Sequence, residues 1–96
     1  MEEQLIVKWK FKETESERIL GLLPELVEKT RNEEGNLSYT IYQSLEDTNV
    51  LILNERYVDA EAVETHKASA HYQEIVAGQI LPHLEIREVI ALKRLY

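Results

Sequence analysis

The chain has 96 residues, 44% of them hydrophobic and 30% charged, with a formal net charge of -7 and no cysteine. This size holds one small domain, and the composition is that of a folding chain rather than a disordered one. The acidic balance, without a basic patch or a basic amphipathic helix, argues against nucleic acid and membrane as partners, and the lack of thiols excludes disulfide chemistry. The start, Met1-Glu2-Glu3-Gln4, is acidic where a signal peptide is basic, and no apolar run reaches membrane-spanning length, so a cytoplasmic protein is expected.

Residues 4–11 alternate as a strand, with Leu5, Val7, Trp9 and Phe11 on one face and Ile6, Lys8 and Lys10 on the other. Thr14 with Glu17, or Ser16 alone, is placed to cap a helix whose stripe is Ile19, Leu22, Leu23, Leu26 and Val27. Pro24 inside that pattern predicts a kink or a helix in two pieces, and Gly35 is its expected stop. Residues 37–44 form a second strand, with Leu37, Tyr39 and Ile41 opposite Ser38, Thr40 and Tyr42. The polar stretch Glu46-Asp47-Thr48-Asn49 reads as a hairpin connection to the third strand, residues 50–57. There Leu51, Leu53, Glu55 and Tyr57 share a face, which sets a carboxylate in line with leucines and a tyrosine.

Asp59 offers an N-cap to a short helix that carries His66 on the stripe of Ala62 and Val63. Ser69 is a second cap, restarting a helix with His71 and Tyr72 in its first turn. The helical region runs to Leu81, with Pro82 beyond it. Residues 85–95 form the last strand, apolar on both faces through Ile86, Ile90 and Leu92 and through Val89, Ala91 and Leu95.

The order strand, helix, strand, strand, helix, strand is that of an α+β, ferredoxin-like βαββαβ domain over residues 1–96, an antiparallel sheet with helices on one face. The other face mixes Ile6, Tyr42 and Ile52 with polar groups. With a last strand greasy on both sides, this predicts a homodimer packed through the sheet face and the C-terminal strand, against a monomer with a partly apolar sheet.

Chemistry concentrates between Glu55 and Tyr72. Desolvation among Leu53, Tyr57 and the helix stripe should raise the Glu55 pKa, suiting it to take a proton or to hold an imidazole; a structural carboxylate is the competing reading. His66 can pair with Glu55 as base and orienter, or be a core histidine satisfied by a carbonyl. His71, with the amides after Ser69 and with Lys67, can hold an anionic group, or be an exposed helix start. Tyr72 and Trp9 are core or pocket residues, Trp9 able to stack a planar substrate. Asn36 either contacts substrate or follows the Gly35 turn. No metal is expected, because His66 and His71 are separated by a helix break and His83 follows a proline; no P-loop or GxGxxG is present.

Three stretches carry a family resemblance: Glu33-Glu34-Gly35-Asn36-Leu37-Ser38-Tyr39, Leu53-Asn54-Glu55-Arg56-Tyr57, and Glu64-Thr65-His66-Lys67-Ala68-Ser69-Ala70-His71-Tyr72. They resemble the antibiotic biosynthesis monooxygenase superfamily and its approximate patterns E-x-G-x-x-x-Y, Y-E-x-W/Y and H-x-x-S-x-H-F/Y. The resemblance implies a dimeric α+β barrel with a ligand pocket between each subunit's sheet and helices. The haem-degrading branch fits poorly, since its tryptophan falls at His66 and its histidine near Val76. What remains is a cofactor-independent monooxygenase of an aromatic polyol or quinol, an isomerase of a small phosphorylated dicarbonyl of the autoinducer type, or a non-catalytic ligand-binding dimer. For the first, the resemblance implies Glu55, His66, His71 and Tyr72 as catalytic residues. Trp9, Asn36, Tyr39, Leu53, Tyr57 and Lys67 would be the residues around the small-molecule substrate.

Overall fold

The computed structural model describes all 96 residues, Met1–Tyr96. The elements are β1 (Glu3–Phe11), α1 (Glu13–Arg31), β2 (Asn36–Gln43), β3 (Val50–Tyr57), α2 (Ala60–Ala68), a π-helical α3 (Tyr72–Ile80) with a closing 3₁₀ turn (Leu81–His83), and β4 (Leu84–Leu92). The strands pair antiparallel in the order β2-β3-β1-β4, the ferredoxin-like arrangement the sequence predicts. No helix is long and apolar enough to cross a membrane.

Alternation sets the two faces. Val7, Trp9 and Phe11 of β1, Tyr39 of β2, and Leu51 and Leu53 of β3 are buried beneath the helices. Against them pack Ile19 and Leu26 of α1 and Ile75, Val76 and Ile80 of α3. Tyr57, Ala62 and Val63 form a smaller cluster under α2, beside Leu5. Removing each large apolar side chain from water contributes roughly 1.5–3 kcal/mol, so these few residues supply most of the drive to fold. The opposite face is left open: Tyr42, Ile86, Ile90 and Leu92 are exposed.

Three local expectations are corrected. α1 begins at Glu13, with Lys12 at its cap position and no side-chain cap, rather than at Thr14 or Ser16. Phe11 is buried at the end of β1, so the chain turns at once, and Glu13 and Glu15 complement the dipole in the first turn. Of the two outcomes expected of Pro24, the helix in two pieces does not occur: α1 is one helix of 19 residues. The proline is exposed, so water can take the carbonyl it leaves free, while Ile19 and Leu26 anchor the helix on either side. Gly35 is not the helix stop, since α1 ends at Arg31, where the Asn32 amide donates to the Glu28 carbonyl and the Glu33 amide to the Thr30 carbonyl.

Gly35 has another purpose. A methyl group there would collide with the Ala62 side chain, so the missing Cβ lets α2 lie directly on the turn after α1. Asp59 caps α2 as predicted, its carboxylate accepting from the Ala62 amide at 2.8 Å. Ser69 also closes the break as predicted, donating to the His66 carbonyl at 2.6 Å and accepting from the Tyr72 amide at 3.2 Å. The π winding that follows was not legible. β4 ends at Leu92, short of the expected residue 95.

Candidate functional site

His66 is the hub. It is 2% exposed, held by α2 over the inner face of the sheet. Its Nδ1 lies 2.7 Å from Oε2 of Glu33, and the same oxygen lies 2.5 Å from Nε2 of His71. A carboxylate can only accept, so both of those nitrogens carry the proton and donate to Glu33. His66 in its neutral form is thereby fixed with its lone pair on Nε2. That nitrogen faces Glu55, whose Oε1 is 3.9 Å away. The rings of Tyr39, Tyr57 and Tyr72 surround the imidazole, with centroids 5.8, 5.3 and 5.1 Å from it.

The expected Glu55–His66 couple is thus corrected in form. The two are neighbours but not hydrogen-bonded; Glu55 Oε1 accepts instead from the Tyr57 hydroxyl at 2.7 Å. The orienting acid is Glu33, and the satisfied-by-a-carbonyl alternative fails for the same reason. Glu33 arrives from the turn after α1, brought under α2 by the Gly35–Ala62 approach.

Burial pushes the Glu55 carboxyl above its ordinary value of 4.5, outweighing the Tyr57 hydrogen bond and the His66 charge that pull it down. Burial likewise raises the Tyr39 and Tyr57 phenols, each further disfavoured as an anion by the Glu55 charge. Both tyrosines therefore stay protonated as donors across the neutral range. The sequence expectation of a raised Glu55 holds.

A cavity of about 320 Å³ opens beside this constellation, lined among others by Leu5, Trp9, Tyr39, Glu55, His66 and Tyr72. Lys67, Arg87 and Val89 complete its wall together with Val7, Val63, Val76 and Leu81. Tyr72 and Val76 of α3 and Leu81 of the 3₁₀ turn that follows reach this wall together. A larger groove of about 670 Å³ between α1 and β2 is shallow and holds no buried titratable group.

Of the residues expected to touch substrate, Trp9, Tyr39, Glu55, His66, Lys67 and Tyr72 line the cavity. Four do not, and each for a visible reason. His71 sits behind His66, committed to Glu33. Leu53 is wholly buried core. Tyr57 is also fully buried, with its ring beside His66 and its hydroxyl on Glu55 but no part of it on the cavity wall. Asn36 donates to the Ser38 and Arg56 carbonyls, closing the irregularity where β2 meets β3.

Two residues were missed. Glu33 is visible in the sequence only as the first letter of a motif, since its partners lie 33 and 38 residues away. Arg87 had a signal: it alternates with Val89 and Ala91, and so is a cation on the inner face of β4.

Glu33, His66 and His71 are also a donor set for a divalent cation, with one ligand atom each inside 4.8 Å. Ligands on one such ion stand about 3.0–3.4 Å apart, from bonds of about 2.1 Å. The 2.5 and 2.7 Å separations from the Glu33 oxygen are those of charge-assisted hydrogen bonds, and a cation would require that carboxylate to retreat.

An antiparallel ferredoxin-like sheet, with an apolar cavity on its helical side floored by a carboxylate and a tautomer-fixed imidazole, defines a small-ligand domain able to move protons. The sequence model of the antibiotic biosynthesis monooxygenase family matches residues 5–78. The chain belongs to that family, one of monooxygenase type. It is 32% identical over 68 residues to "Putative monooxygenase YcnE" of Bacillus subtilis (strain 168), covering 71% of this chain and 72% of that protein. A solved structure described as an antibiotic biosynthesis monooxygenase superposes with a TM-score of 0.92 at 26% identity, covering 98% of this chain and 99% of the other. The structure of Rv0793 from Mycobacterium tuberculosis gives 0.90 at 28% identity, covering 100% and 97%.

Proposed function

We propose that the protein is a cofactor-independent monooxygenase of an aromatic polyol or quinol. The observation that carries this reading is the 2.7 Å contact of His66 Nδ1 with Glu33, which assigns the Nδ1 proton to that carboxylate and leaves the Nε2 lone pair facing Glu55 and the cavity. A substrate hydroxyl seated between Nε2 and Glu55 Oε1, 3.9 Å apart, lies within hydrogen-bond reach of both. His66 takes its proton, and the resulting electron-rich ring anion reacts with dioxygen. The carbon-bound hydroperoxide then loses water to leave a carbonyl. One oxygen atom enters the product and the other leaves as water, with the quinol itself supplying the two further electrons. Tyr39 and Tyr72 wall the ring, Tyr39 as a phenol that stays protonated, and Trp9 supplies a further aromatic wall. His71 becomes a positioning residue acting through Glu33.

The test is oxygen uptake with a menadiol-type quinol under air. Wild type should consume oxygen above background and His66→Ala should not; no uptake with any quinol tried sinks the reading.

The isomerase reading keeps one observation, Lys67 on the cavity wall. Its second support is narrowed, because two of the amides after Ser69 are taken: Tyr72 N–H by Ser69 Oγ and Gln73 N–H by the Ser69 carbonyl. If the domain only binds its ligand, Glu55→Gln changes stability and no turnover.

The functional unit we propose is a homodimer closed through the open sheet face and β4, where Ile86, Ile90 and Leu92 are 36%, 53% and 39% exposed. Light scattering should give twice the chain mass, and Ile90→Glu should halve it.

A further inference from the structure

The Glu33, His66 and His71 cluster can do more than fix a tautomer. His66 Nδ1 and His71 Nε2 converge on one point, the Glu33 oxygen, from 2.7 and 2.5 Å. The three residues come from the turn after α1, from α2 and from the position just before α3, and one ligand atom of each lies within 4.8 Å of the others. A zinc ion bonds imidazole nitrogen at about 2.0–2.1 Å, so it fits where the two nitrogens converge once the carboxylate draws back. Glu33 sits on a turn, and its side chain and that of His71 are 12% and 13% exposed, so an ion can reach them. Glu33 also lines a separate recess of about 510 Å³, together with Glu34, Asp59 and Glu61 and with no lysine or arginine. Such a single-signed recess raises the local concentration of cations.

We propose that this cluster is an inhibitory zinc site. Two imidazoles and one carboxylate suit zinc and its first-row neighbours, whereas magnesium and calcium prefer oxygen alone. A histidine ligates through a lone pair, so zinc on Nδ1 obliges neutral His66 to carry its proton on Nε2. The lone pair that faced Glu55 is then replaced by an N–H. The base of the proposed reaction is switched off from behind, by an ion that does not meet the substrate. That consequence rests on the monooxygenase reading; the zinc site stands without it. Two histidines and one carboxylate also hold iron in oxygenases. Here neither Glu33 nor His71 lines the cavity, and the ion lies across the His66 ring from the nitrogen that faces Glu55.

The test begins with binding. Calorimetric titration of the chelator-washed, untagged protein with zinc sulfate should give one site per chain, for which magnesium does not compete. Glu33→Gln and His71→Asn should each weaken it at least about tenfold. His83→Ala, at the exposed His83–Glu15 contact of 3.4 Å, should leave it unchanged. Nitrogen-15 spectra of the imidazoles should show the His66 proton passing from Nδ1 to Nε2 as zinc is added. Oxygen uptake with the quinol should fall about 100-fold at saturating zinc and return with chelator. No zinc binding, binding that survives both ligand variants, or a His66 proton that stays on Nδ1 overturns the site. Uptake that zinc leaves unchanged, or that zinc or ferrous ion raises, overturns the switch. If the wild type takes up no oxygen, the monooxygenase reading fails, while titration and ring spectra still decide the zinc site. Should one ligand variant not fold, the other and the wild-type ring spectra decide.

Discussion

Two carboxylates approach one imidazole from opposite sides, and they are treated very differently. Glu33, on a turn, receives two N–H donors from His66 and His71 at 2.7 and 2.5 Å. Glu55, on a strand, receives one phenol at 2.7 Å and stands 3.9 Å from His66 Nε2. The first is held by strong, charge-assisted bonds and fixes a tautomer; the second is under-partnered and desolvated, so its proton affinity rises. A buried acid can serve a site as an anchor or as a reactive group, and its partners decide which.

Breaking the anchor should cost most. Glu33→Gln leaves the volume and an acceptor oxygen but removes the negative charge that makes both N–H bonds strong. We expect turnover to fall about 100-fold or more and stability to fall by about 1–3 kcal/mol, read by oxygen uptake and urea melts. Gly35→Ala tests how the anchor is delivered. The added methyl meets Ala62, so α2 must move off the turn; about 1–3 kcal/mol of stability should go, together with activity, although Gly35 touches no substrate. His71→Asn removes one of the two donors and should lower turnover about tenfold, with substrate affinity unchanged.

The smallest effect sharpens the other side. Glu55 holds its proton more tightly folded than unfolded, so between pH 4.5 and its raised value the native state binds more protons. Stability from this group is therefore full below pH 4.5 and declines as pH rises through that window. Glu55→Gln, which still accepts from Tyr57, should gain on wild type as the solution is brought to neutral and gain nothing below pH 4.5. Denaturant melts across pH check the sign.

The same contrast explains what the sequence discloses. Glu55 is legible because strand alternation is local: with Leu51, Leu53 and Tyr57 pointing inward, it has to follow, and all four are buried. His66 is legible through its cap and stripe. Glu33 is not, because its place depends on where α1 stops and on α2 settling against Gly35, a contact between segments with no shared periodicity. His71 was placed correctly at a helix start, yet the direction of its ring depends on that same distant turn. The fold, set by alternation and helical stripes, needed none of this.

The π winding of α3 has one more implication. A wide turn holds more chain than an α-helical one spanning the same rise, and so stores slack between His71 and Ile80. Removing a single residue there would tighten the coil and rotate Tyr72 and Val76 relative to one another. The outline of the cavity could thus be redrawn by shortening the chain while the imidazole pair on Glu33 stays where it is.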